Sequence, residues 1–496
     1  MKRTNYKVFF VLLGVYFATQ IPFLTSVAKV WTDEPWYANV AYNFAQGNGL
    51  VDTLAREGTA WVAFLYPLIL GCFFKVFGTS VWVGRFVSVM AGAVALAGLI
   101  QIQRLWKIKP AVVLLTGLLF IFSNVYYIVF RTIRPEAWCV AFAVWGFFFL
   151  ARGADRNRNI DFGLSALLSS CAVMSHPNGV LYALLYGLFV FGFSCSRRSF
   201  IPVVGFATVG LVCALGWVFY YTVIGGADLT AFFAEASNTR TVIGKASVLT
   251  AFLSAIKTFA ATYSLGAKRA YIFIFECGVM VAGLFFARQN RKLFFTALAG
   301  LLFFMLSLLA FQPFATRHFS EVLFFGLLGT GLLFQQVYAR KPLLLSLFLL
   351  TSAYGLNNIL GDVYLVFRDH KNTPFDQLSL QISQQIPKES KVLSLMPFWF
   401  GLKTTAFYNE STRWEAKGYE SLDAFLKTGG ADYVVISPYL LDGRTGTSGR
   451  KERAAETENI KGYCQKVLDF SEQHGRLITE LSSDGYGKIS IWEIKK

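Results

Sequence analysis

The chain has 496 residues, of which 55% are apolar and only 15% are charged, and its mean hydropathy is +0.49. Soluble globular proteins carry about 25% charged residues and disordered chains have low hydrophobicity, so the composition excludes both classes and predicts a polytopic membrane protein. The net charge of +17 lies in short basic clusters between the apolar runs of residues 1–360, whereas residues 361–496 are neutral, which argues against nucleic acid as a partner.

Eleven apolar runs follow one another along the first 360 residues. Each comes close to the roughly 20 residues that a membrane-spanning helix needs. The runs cover residues 7–27, 82–103, 110–130, 135–151, 161–177, 178–196, 200–223, 270–287, 293–311, 318–338 and 342–360. The first run follows Met1-Lys2-Arg3 and is not followed by a small-residue cleavage site, so we expect an uncleaved signal anchor.

The distribution of basic residues among the loops decides whether a twelfth apolar stretch, residues 61–77, crosses the membrane. If it does not cross and the N-terminus is cytoplasmic, the cytoplasmic loops contain 16 basic and two acidic residues. A crossing at 61–77 would move every later loop to the other side and remove this bias, against the tendency of basic loops to stay inside. We therefore expect an interfacial or re-entrant helix within a long first outer loop, residues 28–81. The chain is predicted to lie in the cytoplasmic (inner) membrane, with its N-terminus inside and its C-terminal region outside.

The sequence predicts two further extracytoplasmic regions. A second long outer loop covers residues 224–268, and within it residues 246–261 carry Lys at the spacing of a surface-lying amphipathic helix. After residue 361, helix-like and strand-like pieces alternate between Pro and Gly breaks. They predict helices over 375–386 and 457–470 and strands over 391–396, 433–437 and 488–494. We thus expect a transmembrane domain, residues 1–360, followed by a small α/β domain, residues 361–496.

Ionisable residues gather in the segments that this topology places outside. The first outer loop carries Asp33 and Glu34, and the second outer segment carries Arg134 and Glu136. Each group also has a simple explanation as the acidic start of a helix, with Pro in its first turn. Together at one membrane face they favour a functional site, because cations can hold a lipid phosphate while a carboxylate deprotonates an acceptor.

Two later segments add ionisable residues to the same predicted face. His176 lies in a tight Ser-His-Pro-Asn-Gly turn, and Arg317 precedes His318, with Glu321 one turn inside the next span. A lone His is more often structural than catalytic, but ionisable groups at membrane depth are functional candidates. The middle of the predicted spans is nearly free of charge, which argues against a transporter with polar groups near the midplane.

The order of these motifs resembles the bacterial membrane glycosyltransferases of the GT-C type, whose relatives include protein O-mannosyltransferases and the aminoarabinose transferase of lipid A. The resemblance covers most of residues 1–360. The matching steps are Asp33-Glu34 followed by Tyr37 and Ala38, Gly47-Asn48-Gly49, the helix from Pro67 to Lys75-Val76-Phe77-Gly78, Arg85, Arg134-Pro135-Glu136, His176-Pro177-Asn178-Gly179 and Arg317-His318-Phe319.

The resemblance implies an inverting glycosyltransferase that moves a sugar from a polyprenyl-phosphate carrier to a lipid, glycan or protein acceptor at the outer membrane face. It gives Asp33 the role of general base or of a carboxylate that orients the acceptor, with Glu34 and Glu136 as carboxylates that support it or bind the acceptor. The positions that it assigns to substrate binding are Tyr37, Arg56, Lys75, Arg85, Arg134, His176 and Arg317. It implies no obligatory cofactor, although the three carboxylates could hold a divalent ion.

Several alternatives stay open at the level of sequence. The first is a flippase or transporter of polyprenyl-linked sugars, the second a non-catalytic scaffold on the same fold, and the third an O-antigen ligase or polymerase. In the C-terminal region, a set of aromatic and polar residues either contacts sugar or belongs to a packed α/β core. This set comprises Trp399, Tyr408, Asn409, Arg413 and Trp414.

Overall fold

The computed structural model describes residues 2–30, 33–54, 58–59, 63–224, 263–264, 267–286, 290–310, 319–437 and 453–495. Two predicted site residues, Arg56 and Arg317, and the predicted amphipathic helix over 246–261 lie outside the described residues.

A helical bundle forms the first three quarters of the chain. In chain order its helices are α1 (Lys2–Gln20), α2 (Asp33–Ala45), α3 (Leu65–Phe77), α4 (Val81–Leu105), α5 (Pro110–Ile121), α6 (Asn124–Val129), α7 (Glu136–Arg156), α8 (Asn159–Ser175), α9 (Gly179–Arg197), α10 (Ile201–Phe219, continued by a π-helical turn Tyr220–Ile224), α11 (Arg269–Phe285), α12 (Arg291–Ala310), α13 (Ser320–Val337) and α14 (Lys341–Asp369). Among the described helices, α4, α7, α9, α10, α13 and α14 are long and apolar enough to cross a membrane. The fold is therefore that of a polytopic helical membrane protein, and the count of eleven spans stays a prediction.

The buried fraction of each helix distinguishes the inner helices of the bundle from the outer ones. Nearly nine-tenths of the apolar window of α13 is buried, whereas only 17% of that of α14 and 6% of that of α10 is buried. A helix that is apolar all round and exposed needs lipid around it. Inside the bundle the packing is close: a Cβ at Gly92 of α4 would collide with the hydroxyl of Tyr16 on α1.

The first outer loop forms a helical layer at one end of the bundle. The apolar stretch 61–77 contains α3, which is 13 residues long and packs against α2. Two short strands, β1 (Val51–Asp52) and β2 (Gly58–Thr59), pair between these helices. The side chain of Asn43 on α2 donates to the carbonyl of Val51 at 2.7 Å and fixes β1 against α2. A second short pair, β3 (Tyr263–Ser264) and β4 (Ala267–Lys268), precedes α11.

The C-terminal region is a five-stranded mixed sheet with helices around it. Its strands are β5 (Lys391–Ser394), β6 (Ala406–Tyr408), β7 (Tyr433–Ile436), β8 (Gly475–Ser483) and β9 (Gly487–Ile494), in the order β6-β5-β7-β9-β8. β6, β5 and β7 are parallel, and β9 pairs antiparallel with both β7 and β8. The helices are α15 (Phe375–Ser383), α16 (Trp399–Leu402), α17 (Leu422–Lys427) and α18 (Arg453–His474). The small α/β region is thus present, and the predicted boundary at residue 361 falls inside α14.

One hydrophobic core joins this sheet region to the layer of α2 and α3. Trp399 is buried and its ring lies 5.8 Å from that of Tyr42 on α2. The buried side chain of Asn409 donates to the carbonyl of Leu54 at 3.1 Å. Trp399 and Asn409 therefore hold the sheet region against the layer of α2 and α3.

The other members of the aromatic and polar set lie on the sheet region itself. The rings of Tyr408 and Trp414 are parallel with centroids 6.1 Å apart, and both pack on Phe425. Arg413 is exposed. For Tyr408 and Trp414 the structure thus favours the packed core over sugar contact.

The first turn of α4 is capped by the C-terminal region. The carboxylate of Asp376 on α15 accepts hydrogen bonds from the backbone N–H groups of Val81 and Trp82 at 2.8 and 3.0 Å. Ser80 accepts a third from Val83 N–H at 3.1 Å. An acceptor at a helix N-terminus satisfies amides that have no partner within the helix.

Candidate active site

A cluster of Asp33, Arg134 and Glu136 lies where α2 and α7 begin. Nη1 of Arg134 donates to Oδ2 of Asp33 at 2.6 Å, and its Nη2 lies 2.9 Å from Oε1 of Glu136. Both carboxylates occupy first turns of helices, where the helix dipole favours negative charge. Glu136 is fully buried, whereas the side chain of Asp33 is 31% exposed. Asp33 is therefore the carboxylate of this cluster that an incoming substrate can reach.

Arg134 supplies a permanent positive charge between the two carboxylates. Burial alone would lower its pKa, but the charges of Glu136 and Asp33 raise the pKa above its ordinary value. The guanidinium thus stays protonated and holds Asp33 in one orientation.

Glu34, next to Asp33 in the chain, forms a separate and fully buried ion pair with Arg85. Nε and Nη2 of Arg85 donate to the two carboxylate oxygens of Glu34 at 2.9 and 2.8 Å. The same carboxylate accepts from the backbone N–H of Ile133 at 3.0 Å, and Nη1 of Arg85 donates to the carbonyl of Leu24 at 2.9 Å. The pair therefore joins α2, α4, the segment after α1 and the turn before α7 beneath the surface of the cluster.

Tyr37 lies one helical turn after Asp33 on α2, and so on the same side of the helix. It is half-buried, and its ring meets that of Tyr66 on α3 edge-on, with centroids 5.7 Å apart. It also contributes to the raised pKa of Arg134. Tyr37 therefore lies close enough to the cluster to form part of its wall.

His176 belongs to a second buried polar group at the start of α9 and α13. The side-chain amide of Asn178 donates to both carboxylate oxygens of Glu321 at 3.0 and 2.9 Å, and Nδ1 of His176 lies 3.6 Å from one of them. The backbone N–H of Asn178 donates to Nδ1 of His176 at 3.2 Å. Nδ1 therefore acts as an acceptor in this contact.

The remaining predicted cations are not brought into the cluster by any described contact. Lys75 is exposed on the last turn of α3, and within the described part of the chain it makes no ion pair. The structure thus places Asp33, Glu34, Tyr37, Arg85, Arg134 and Glu136 together, with His176 in a neighbouring group.

Two buried carboxylates lie on the helices of the bundle, one of them within a predicted span. Glu276 on α11 is fully buried and accepts from the hydroxyl of Tyr354 on α14 at 2.6 Å. Asp362 on α14 accepts from the side-chain amide of Asn124 at 2.9 Å. Glu276 is the single acid of the run 270–287, whereas Asp362 lies two residues beyond the run 342–360. An ionisable residue within an apolar run is the signal that could have identified Glu276.

The carboxylates at the site are held by cations. Among the described residues, no three His, Cys, Asp or Glu side chains converge as metal ligands would. The space between Asp33 and Glu136 is filled by the guanidinium of Arg134.

Comparisons with known proteins agree with this fold. Residues 62–220 match the family model of dolichyl-phosphate-mannose-protein mannosyltransferase. No curated protein matches the chain by sequence. Among solved structures, ArnT from Cupriavidus metallidurans in the apo state has a TM-score of 0.61 at 14% identity, over 99% of this chain and 98% of that chain. The same protein bound to undecaprenyl phosphate has a TM-score of 0.61 at 11% identity with the same coverage.

A second solved structure shares the fold over a shorter part of its own length. The oligosaccharyltransferase of Archaeoglobus fulgidus, tethered with an acceptor peptide, has a TM-score of 0.53 at 10% identity, over 99% of this chain and 74% of that chain. The family match over residues 62–220 and the fold shared along the whole chain confirm the resemblance seen in the motifs. The chain is a multi-pass helical membrane protein with the fold of ArnT and of the archaeal oligosaccharyltransferase, and its residues 62–220 are similar to the mannosyltransferase family.

Proposed function

We propose that the chain transfers a sugar from a polyprenyl-phosphate carrier to an acceptor at the outer face of the cytoplasmic membrane, with inversion and with Asp33 as general base. The observation that carries the proposal is the arrangement of the three acids. Glu34 and Glu136 are fully buried against Arg85 and Arg134, while Asp33 is partly exposed and fixed by Arg134.

The proposed reaction uses Asp33 to take the proton of an acceptor hydroxyl. The acceptor oxygen then attacks the anomeric carbon, and the bond between that carbon and the phosphate oxygen breaks. Polyprenyl phosphate leaves with the electron pair and gains negative charge, which nearby cations stabilise. Attack from the face opposite the phosphate inverts the anomeric configuration.

We propose Lys75, Arg56 and Arg317 as the cations for the donor phosphate, of which only Lys75 belongs to the described residues. A lipid-linked donor is supported by the ArnT structure of the same fold, which holds undecaprenyl phosphate. The positive charge of Arg134 between Asp33 and Glu136 supports a reaction with no obligatory metal. In this proposal Glu34 and Arg85 position α2 rather than touch substrate.

The test compares three strains by mass spectrometry of lipid extracts and envelope glycans: a deletion strain, the wild type, and the deletion complemented with Asp33→Asn. Asn is nearly isosteric and lacks the basicity of the carboxylate, so we expect a folded, inserted protein that transfers no sugar. The matched control is Asp423→Asn, an exposed acid on the C-terminal region that pairs with Lys466 at 3.0 Å. This control should restore the glycan fully.

Two outcomes would overturn the proposal. Full transfer by Asp33→Asn would remove Asp33 from the mechanism. The deletion strain could instead have the same glycans as the wild type but a different distribution of polyprenyl-linked sugars across the membrane. That result would identify a flippase.

A further inference from the structure

The start of α2 is fixed by side chains that belong to other elements. Arg134, in the turn before α7, holds the carboxylate of Asp33. At the end of the first turn of α2, the indole N–H of Trp36 donates to the buried carboxylate of Asp52 on β1 at 2.7 Å. The position of Asp33 therefore depends on contacts from outside its own helix.

A further contact holds the chain just before α2, and it comes from the C-terminal region. The hydroxyl of Tyr486, in the turn between β8 and β9, accepts from the backbone N–H of Val30 at 2.6 Å and donates to the carbonyl of the same residue at 3.4 Å. Val30 and Tyr486 are each only 3% exposed. Because buried backbone groups need hydrogen-bond partners, this one hydroxyl fixes the backbone three residues before Asp33.

Tyr486 is itself held by the C-terminal region. Its ring lies edge-on to the rings of Phe375 and Phe398, with centroids 5.2 and 6.0 Å away, and its backbone carbonyl accepts from the hydroxyl of Ser437. Burial raises the pKa of the Tyr486 hydroxyl, so the phenol keeps its proton and can donate and accept at the same time. The hydroxyl thus connects the sheet region to the segment that leads into α2.

We propose that Tyr486 is a positioning residue for the proposed sugar transfer. It is buried and acts through Val30: by holding this residue it fixes where α2 begins and, through α2, where the carboxylate of Asp33 lies. The C-terminal region then contributes to the reaction rather than only covering the layer that carries Asp33. The inference rests on the proposed role of Asp33 as general base.

The experiment compares Tyr486→Phe with Tyr463→Phe in the full chain. Both changes remove one hydroxyl from a tyrosine of the C-terminal region, but the hydroxyl of Tyr463 donates to the carbonyl of Ser394 within the sheet region, at 2.9 Å. We expect Tyr486→Phe to transfer sugar about tenfold more slowly in membranes with equal amounts of protein. Misplacing a catalytic group by about 1 Å costs about 10²-fold, and the remaining Phe ring limits the displacement. Tyr463→Phe should transfer at the wild-type rate.

Two further measurements distinguish positioning of the base from a general loss of structure. Native mass spectrometry with undecaprenyl phosphate as the probe should show equal retention by the wild type and both variants, because the change displaces the base and not the carrier. Amide hydrogen exchange should become faster in Tyr486→Phe at Val30 and in the first turn of α2. In Tyr463→Phe these amides should exchange as in the wild type.

Transfer by Tyr486→Phe at the wild-type rate would overturn the proposal, and so would an equal loss of transfer in Tyr463→Phe. Loss of undecaprenyl phosphate retention in Tyr486→Phe would also overturn it, because the hydroxyl would then serve stability in general. If Tyr486→Phe does not fold, Ser437→Ala decides. It releases the carbonyl of Tyr486 from the end of β7 and should also slow transfer and speed exchange at Val30, so wild-type behaviour would reject the proposal.

Failure of the proposed function gives a different result. Full transfer by Asp33→Asn would reject Asp33 as the base, whatever Tyr486→Phe does to the rate. The exchange rate at Val30 would still show whether Tyr486 holds the start of α2.

Discussion

Asp33 and Glu34 are neighbours in the chain with different partners. Successive residues of a helix point about 100° apart, so Asp33 faces Arg134 while Glu34 faces Arg85 in the interior. The sequence predicts that both acids start a helix at the membrane surface. Which of them is buried depends on the positions of α4 and α7, and no local pattern reports those positions. The burial of Glu34 against Arg85 therefore needed the structure, whereas the proposed role of Asp33 came from the family resemblance.

Replacement of Arg134 by Lys tests the geometry of the cluster. Lys keeps the charge but, as a single ammonium, does not provide the planar fork that reaches Asp33 and Glu136 together. We expect a folded protein with transfer reduced by about 10²-fold, the usual effect of misplacing a catalytic group by about 1 Å. Rates of sugar transfer in membranes with equal amounts of protein give the measurement. Activity within twofold of wild type would show that the fork is not needed.

Glu410, in the loop after β6, makes the stability of the C-terminal region depend on pH. Burial raises its pKa from 4.5 to about 7, even though the carboxylate accepts from the backbone N–H of Met396 at 3.0 Å. The folded state thus binds this proton more tightly than the unfolded state. The resulting stability is complete below about pH 4.5 and is lost as the pH rises through 7.

Glu410→Gln removes this dependence while keeping an acceptor for Met396. We expect the variant to be more stable than wild type at pH 8, by up to about 3 kcal/mol, and close to wild type at pH 5. Thermal unfolding of the purified protein at both pH values is the measurement. An equal shift in melting temperature at pH 5 and pH 8 would contradict the assignment.

At the scale of elements, the hydropathy pattern predicted the helices of the bundle but missed two strands of the C-terminal sheet. Each predicted span overlaps a described helix, because long apolar runs have few alternatives in a membrane. The run 110–130 is divided between α5 and α6, and six of the described helices have the length and hydropathy of a crossing. The strands β6 and β8 were not predicted. β6 has only three residues, and β8 follows α18 directly, without a Gly or Pro break before Gly475. Both strands depend on pairing with β5 and β9 rather than on their own sequence.

The buried pair of Glu34 and Arg85 should contribute to stability through the elements that it joins. Removing one partner leaves an uncompensated buried charge, so Arg85→Met or Glu34→Leu alone should each destabilise the protein by about 3–5 kcal/mol. The double variant should lose clearly less than the sum of the two. Unfolding midpoints of the four proteins in one detergent complete the cycle. Additive losses would mean that the two residues act independently.

At the scale of the whole molecule, the C-terminal region covers the layer that carries Asp33. The hydroxyl of Tyr486 accepts from the backbone N–H of Val30 at 2.6 Å, across 456 residues of chain. Asn409 and Asp376 make comparable contacts at separations of 355 and 295 residues. Contacts between residues so far apart in the chain produce no periodic pattern in the sequence. The sequence therefore predicted that an α/β region exists, but not that it packs against the layer of α2 and α3.

The predicted orientation of the molecule gives a direct test. The end of the bundle that carries Asp33 also carries the C-terminal region, and the positive-inside pattern places that end outside the cytoplasm. An alkaline-phosphatase fusion after Lys496 should therefore be active. A cytoplasmic reporter at the same position should be silent. The reverse result would place the C-terminus in the cytoplasm, and either the cytoplasmic N-terminus or the odd number of crossings would then be wrong.

The cap that Asp376 provides for α4 has a consequence for biosynthesis. Val81 and Trp82 are made early, and their acceptor emerges from the ribosome 295 residues later. Arg85, one turn further along α4, holds Glu34 and thereby the start of α2. Until the C-terminal region has docked, the amides of Val81 and Trp82 lack this acceptor and Ser80 alone caps the first turn of α4. We therefore expect the site to take its final form only after translation ends, and a chain that stops before Asp376 to be inserted but inactive.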